Sequence, residues 1–176
     1  MHALRRAQAL DAVALAELAE LTFRDTFSAV NTPDNMDLHC SASFAPAIQA
    51  REIADPAIVT TVAETGRQLV GFTQLRLLHG SSAVPFSRPA ELHRIYVARD
   101  WHGKGLAQEL MNNVLDESAR EGCDGVWLGV WERNPRALAF YRKHGFRAVG
   151  EHTFSVGRDL QRDIIMATPG TKPIAR

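Results

Sequence analysis

The stretch ELHRIYVARDWHGKGLAQEL (91–110) constrains this chain more than any other. A β-rich run meets a run with helical spacing through two glycines, Gly103 and Gly105. Glycine lets the backbone take positive φ and approach a ligand with no Cβ in the way. The first amides of a helix lack intrahelical partners and carry partial positive charge. Strand, bare turn and helix start in that order favour an anion, typically a phosphate. The alternative is a turn that merely packs well. A P-loop needs G-x-x-x-x-G-K-[ST] and a dinucleotide fold needs G-x-G-x-x-G after an early strand. Neither spacing is present.

The rest of the chain supplies a setting for that turn. LRRA (4–7) reads as a short strand, and Asp11 as the N-cap of a helix with Leu10, Ala14, Leu18 and Leu21 on one face. Pro33 and Pro46 each sit just inside a short helix. IVTTVAE (58–64) and LVGFTQLRLL (69–78) flank TGRQ as an antiparallel hairpin, and 79–90 is a proline-rich loop. After the glycine turn, Leu106, Leu110 and Val114 form one row of a helix, with Met111, Leu115 and Ser118 beside it. VWLGVW (126–131) is a strand. NPRALAFYRKHG (134–145) carries a complete set of helix signals: Asn134 as N-cap, Pro135 at N1, Lys143 and His144 in the last turn, Gly145 at C′. FRAVGEHTFSV and QRDIIMAT follow as strands. The expectation is a mixed α/β (α+β) domain over 1–168 with a loose tail at 169–176.

Length and charge narrow the function. The 176 residues suffice for one sizeable core, and formal charge is zero, so nothing global favours nucleic acid or a membrane surface. The two cysteines, Cys40 and Cys123, form no ligand-spaced cluster with the histidines, so no metal site is expected. Acidic residues interrupt the apolar N-terminal stretch, which reads as neither signal peptide nor span. A cytoplasmic protein is expected.

HGKGLA (102–107) resembles the [RQ]-x-x-G-x-[GA] loop of the GCN5-related N-acetyltransferases (the GNAT family), where acetyl-coenzyme A lies. NPRALAFYRKHGF (134–146) resembles that family's N-x-x-A-x-x-[FL]-Y-x-x-x-G-F helix, at the right spacing. His102 departs from the usual Arg or Gln. TFRDTFSAVNTPDNM (22–36), WLGVWERN (127–134) and GEHTFSVGRDLQRDIIM (150–166) resemble the PaiA-like polyamine acetyltransferase branch. The resemblance implies a mostly antiparallel sheet flanked by helices and splayed between the 91–97 and 126–131 strands. It implies acetyl-CoA as co-substrate and direct transfer to a primary amine of a small molecule, spermidine or spermine being the branch's acceptors. A GNAT-like acyl-CoA-binding module without catalysis, and a peptide or protein N-acetyltransferase, stand as alternatives. Monomer and homodimer both stay open.

The same resemblance assigns residues. Backbone of Ile95, Tyr96 and Val97, with the loop and helix start His102, Gly103, Lys104, Gly105, Leu106, Ala107 and Gln108, is implied to hold the cofactor, together with Asn134 and Tyr141. Seven helical residues, about 700° and about 10 Å, separate Asn134 from Tyr141, so both project from one face. Tyr141 is implied as the acid that protonates the coenzyme A sulfur; packing on the sheet is the alternative. An amide near Val97 is implied as oxyanion donor. Glu91 and His93 alternate with Ile95 and Val97 by period 2 and are the candidate bases, or else caps of the strand's solvent end. Phe23, Phe27, Asn31 and Asp34, with His152 and Phe154, match the branch's flanks and are the candidate acceptor contacts. Trp127 and Trp131 read as packing residues.

Overall fold

A computed structural model of the protein describes residues 2–170. In chain order it runs β1 (Ala3–Arg6), α1 (Ala12–Phe27), α2 (Pro33–Phe44), α3 (Pro46–Ala54), β2 (Ile58–Thr65), β3 (Gln68–Leu77), β4 (Pro89–Val97), α4 (Leu106–Arg120), β5 (Gly125–Trp131), α5 (Pro135–Lys143), β6 (Arg147–Val156) and β7 (Asp159–Pro169). The strands make one sheet in the order β1-β2-β3-β4-β5-β7-β6, antiparallel throughout except where β4 meets β5. This is the GNAT-type sheet that the resemblance implies.

Each helix starts where its local chemistry stops the preceding chain. Thr32 caps α2 by accepting from the Asn35 amide, with Pro33 at the first helical position. Asn134 does the same for α5, accepting from the Ala137 amide at 3.1 Å ahead of Pro135. Asp11 occupies the N-cap of α1 but turns its carboxylate elsewhere, onto the Arg5 guanidinium at 2.7 and 2.9 Å and the Gln8 amide at 2.7 Å. Gly66, at φ +61°, makes the two-residue turn between β2 and β3.

One face of the sheet packs α4 and α5: Leu75, Leu92, Met111, Val114, Leu128 and Met166 share a buried cluster with Leu138, Phe140 and Tyr141 against it. The other face packs α1 and α2 through Leu15, Phe23, Met36, Phe44, Val62 and Phe72. Both rows expected for α4 face inward, Leu115 only in part. The face expected for α1 does not. Leu10 is 78% and Leu21 57% exposed, and Ala14 is exposed too; Ala12, Leu15, Ala16, Ala19 and Phe23 are buried with Leu18. The alanines and Val13 scattered among the leucines let more than one stripe of this helix pass as apolar, and the stripe carrying Phe23 wins by area. At the chain's end, Pro169 pairs with Gly125 and the Gly170 amide bonds the Asp124 carbonyl at 2.9 Å, so 169 and 170, expected in the loose tail, are tied to the sheet. Residues 171–176 lie outside the described residues.

Candidate active site

The seam between β4 and β5 creates the site. Their paired register spans three residues, Pro89–Glu91 against Gly125–Trp127, and then the strands part. The neighbouring β3–β4 and β5–β7 ladders run on to Val97 and Trp131. A cavity of about 630 Å³ fills the wedge. The Ala98 amide donates to the Val70 carbonyl across β3. Strand alternation therefore turns the N–H and C=O of Val97 the other way, to the edge where β5 has left. A main-chain donor in that position faces the cavity without a strand opposite it.

The glycine turn lies at the end of that edge. Gly103 and Gly105 take φ of +74° and +85°, and Gly105 is the N-cap of α4. A Cβ built on either glycine meets nothing within 4 Å, so it is backbone angle and not protein packing that requires glycine here. The open space beside them is the cavity, and α4's first amides stand ready for an anion. His102 braces the turn. Its Nε2 lies 2.9 Å from the Val97 carbonyl, which can only accept, so Nε2 carries the proton and Nδ1 is free to accept from Arg136 at 3.3 Å. The first turn of α5 is thereby tied to the glycine turn, with the Arg136 guanidinium on the cavity wall.

Of the residues expected to hold a cofactor, Ile95, Tyr96, Val97, His102, Gly103 and Gly105 line the cavity, as do Ala107, Gln108, Asn134 and Tyr141. Leu106 does not: it is fully buried against Leu110 and Ala63. Lys104 turns outward, with Nζ 5.5 Å above the Trp101 ring. Tyr141 packs edge-on to Phe146, 5.9 Å between ring centres. Burial lifts its hydroxyl above the ordinary tyrosine range, so it keeps its proton at neutral pH. Burial lifts Tyr96 likewise, to about 12.

The two candidate bases part company. Leu75 pairs with Leu92 and Gln74 with Arg94, so His93 is an extra residue, a β-bulge. The bulge reverses the alternation of β4. Glu91 therefore falls on the opposite face from Ile95 and Val97, correcting the period-2 expectation. Glu91 pairs with Arg76 at 3.3 Å and His79 at 3.5 Å, and does not line the cavity. Burial would raise its carboxyl, but contact with His93 and the charges of Arg76 and His79 bring it below the usual range. His93 does line the cavity, 3.4 Å from Glu91, and burial lowers its imidazole despite that partner.

The expected acceptor contacts also divide. Phe23, Phe27 and Phe154 line the cavity. Asn31 stands behind it, donating to the Phe27 carbonyl at 2.9 Å and accepting from Gln161 at 2.8 Å. Asp34 lies in a separate surface recess with Asn35 and Arg158. His152 is one residue removed, 3.8 Å from Asp163.

Several wall residues escaped the sequence reading, Arg136 among them, and three of them stand near the aromatic rings. Trp131, expected to pack, lines the cavity with its ring 5.8 Å from Phe27, whereas Trp127 is buried and donates to the His79 carbonyl at 2.7 Å. Gln161 is the second. Asp163, 7% exposed, is the third. The signal for Asp163 was present in QRDIIMAT, an acidic residue set against an apolar run in a strand bound for the interior. Among the described residues no group of three or more His, Cys, Asp or Glu could hold a metal ion, and no helix is long and apolar enough to cross a membrane.

The family described as "Acetyltransferase (GNAT) family" matches residues 15–146. An uncharacterized N-acetyltransferase of Mycobacterium tuberculosis is 33% identical over 156 residues, covering 89% of this chain and 96% of that protein. The N-alpha-acetyltransferase RimI of the same organism is 37% identical over 105 residues, 60% of this chain and 62% of its own. Among solved structures, the PaiA N-acetyltransferase of Thermoplasma acidophilum in complex with coenzyme A superposes with a TM-score of 0.77 at 19% identity, covering 96% of this chain and 99% of that one.

Proposed function

This chain belongs to the GNAT family of acetyltransferases and transfers acetyl from acetyl-CoA to an amine, and we propose that its acceptor is the primary amine of a small polycation, of the spermidine or spermine class. One observation carries this reading: a buried carboxylate, Asp163, stands in a cavity wall with the aromatic rings of Phe27, Trp131 and Phe154. Aromatic faces attract ammonium groups and also cover alkyl segments, and a polyamine alternates the two. A neutral acceptor would gain little from such a wall. The carboxylate would keep no partner but His152, 3.8 Å away.

The donor half follows from main chain. The pyrophosphate of acetyl-CoA rests on the glycine turn and the first amides of α4, with Arg136 beside it. Pantetheine enters the wedge where β4 and β5 part and passes Asn134. The thioester carbonyl then meets the Val97 amide, which stabilises the oxyanion; such a donor is worth ~3 kcal/mol of barrier. Tyr141, protonated at neutral pH, gives its proton to the departing sulfur. No cysteine lines the cavity, so transfer is direct from thioester to amine.

The test is thiol release from acetyl-CoA with spermidine, spermine, putrescine, aminoglycosides, free amino acids and short peptides, wild type beside Tyr141→Phe. Polyamine-dependent release is expected, with kcat falling by about 10²–10⁴ in Tyr141→Phe. Release with peptides alone would replace the acceptor class, and an unimpaired Tyr141→Phe would remove the acid.

A further inference from the structure

The proposed acceptor raises a chemical difficulty. A primary amine of pKa about 10.4 is all but fully protonated at pH 7 and must lose a proton before it can attack. Glu91 is off the cavity, and His93 is braced by Glu91. Asp163 is different. Its Oδ1 is buried and has no hydrogen-bond partner, a costly state for a carboxylate. Its Oδ2 points at Nε2 of His152, 3.8 Å away, and His152 is 40% exposed. The strand interior makes room for this pair: a Cβ on Gly129 would come within 2.8 Å of His152 Nε2 and 3.2 Å of Asp163 Oδ2. Glycine inside a strand marks such close approach.

We propose that Asp163 is the catalytic base: its carboxylate, on the cavity wall, takes a proton from the acceptor ammonium, and His152 behind it passes that proton to solvent. This rests on the amine acceptor of the preceding reading. The nitrogen lone pair, once free, attacks the thioester carbon; the C–N bond forms, the C–S bond breaks, and sulfur takes the Tyr141 proton. The nitrogen loses two protons in all. One leaves through Asp163 and His152, and the other replaces the one given up by Tyr141, so amide, free thiol and one solvent proton are the products.

The surroundings set the working pH. His152 from β6 opposes Asp163 across the ladder, Tyr96 comes from β4 and Tyr141 from α5, and both tyrosines feel the Asp163 charge. From β5 come only Gly129 and Trp131. His93 and Arg94 of β4, Asp25 of α1, Arg99 and His102 near the glycine turn and Arg136 of α5 complete the charged or titratable wall, Arg94 being held by Glu52 at 2.6 Å and Asp25 by Arg99 at 3.4 Å. Burial outweighs the pull of His152 and lifts the Asp163 carboxyl to about 6. Such a group is ionised at neutral pH, yet basic enough to accept a proton.

The test compares Asp163→Asn, His152→Gln and His93→Gln on an amine the wild type acetylates. Asp163→Asn should lower kcat by about a hundredfold or more while acetyl-CoA affinity by calorimetry stays unchanged. The acid limb of kcat/KM, with a midpoint near 6 in wild type, should vanish in Asp163→Asn and persist in His93→Gln. A limb that follows His93 instead, or an Asp163→Asn enzyme with wild-type kcat, would overturn the assignment. If the active amine is not a polyamine, the acceptor class fails while Asp163 is still tested. An acceptor-free measurement closes the remaining gap: ¹³C-carboxyl NMR of the full chain should show Asp163 titrating near 6, and higher in His152→Gln. A midpoint in the ordinary aspartate range would sink the proposal.

Discussion

Replacing Gly105 by alanine separates what the turn needs from what the ligand needs. Gly105 sits at φ +85°, and an added Cβ meets no protein atom within 4 Å. Gly66, in the β2–β3 turn, has the same two properties at φ +61° and is not part of the cavity. An L-residue held in the left-handed region costs about 1–2 kcal/mol. Gly66→Ala and Gly105→Ala should therefore lose similar stability, and at about 2–4 °C per kcal/mol the melting temperature drops by roughly 2–8 °C in each. Affinity should split them. A methyl at Gly105 stands in the space assigned to the pyrophosphate and holds it off the α4 amides. Acetyl-CoA binding by calorimetry should weaken at least tenfold in Gly105→Ala, about 1.4 kcal/mol, and not at all in Gly66→Ala. Equal affinity in the two variants would refute the reasoning, because the glycine would then serve the turn alone.

Two further outcomes follow from buried charge. Arg94 donates to Glu52 at 2.6 Å, to Gln74 and to the Ser43 carbonyl at 3.2 Å, and lies over the Phe44 ring. Arg94→Met strands Glu52 and should cost about 3–5 kcal/mol in urea unfolding. A loss below 1 kcal/mol would mean that water reaches the network. The Arg5 hydrogen bonds hold the Asp11 carboxyl below the ordinary aspartate range, against the effect of burial. A depressed carboxyl stabilises the fold above its unfolded value of about 3.9, and that contribution is lost as pH falls through the folded value. Asp11→Asn should thus be less stable than wild type at pH 7, by about 1.5–3 kcal/mol for a hydrogen bond to a charged group, with the gap closing below about pH 3.9. A gap that stays constant between pH 7 and pH 3 in urea titrations would exclude the linkage.

What the sequence disclosed was what local rules write. The α5 helix announces itself by Asn134, Pro135 and Gly145, and the observed caps agree. The rows of α4 need only a 3.6 period over residues 106–118. Where two elements decide together, the string falls short. The bulge at His93 arises from pairing with β3, and one inserted residue moves Glu91 to the far face with no trace in ELHRIYV. On α1, apolar residues cover too much of the circumference to mark the buried stripe. Asp163 was quoted within a flanking motif yet given no role. Its neighbours Gly129, Tyr141 and His152 come from three other elements, and no spacing along the chain records their meeting.

The three-rung seam between β4 and β5 has a consequence for how such an enzyme can diverge. On the reading proposed above, the pyrophosphate and the oxyanion are held mainly by peptide groups: the Val97 edge, the glycine turn and the first amides of α4. Main-chain dipoles are the same whatever residue carries them, so this half tolerates drift wherever φ permits. On the same reading the acceptor side is written in side chains, Phe27 from α1, Trp131 from β5, and Phe154, Gln161 and Asp163 from the terminal hairpin. A lineage can exchange those letters one at a time and acquire new amines while the grip on its carrier is inherited intact.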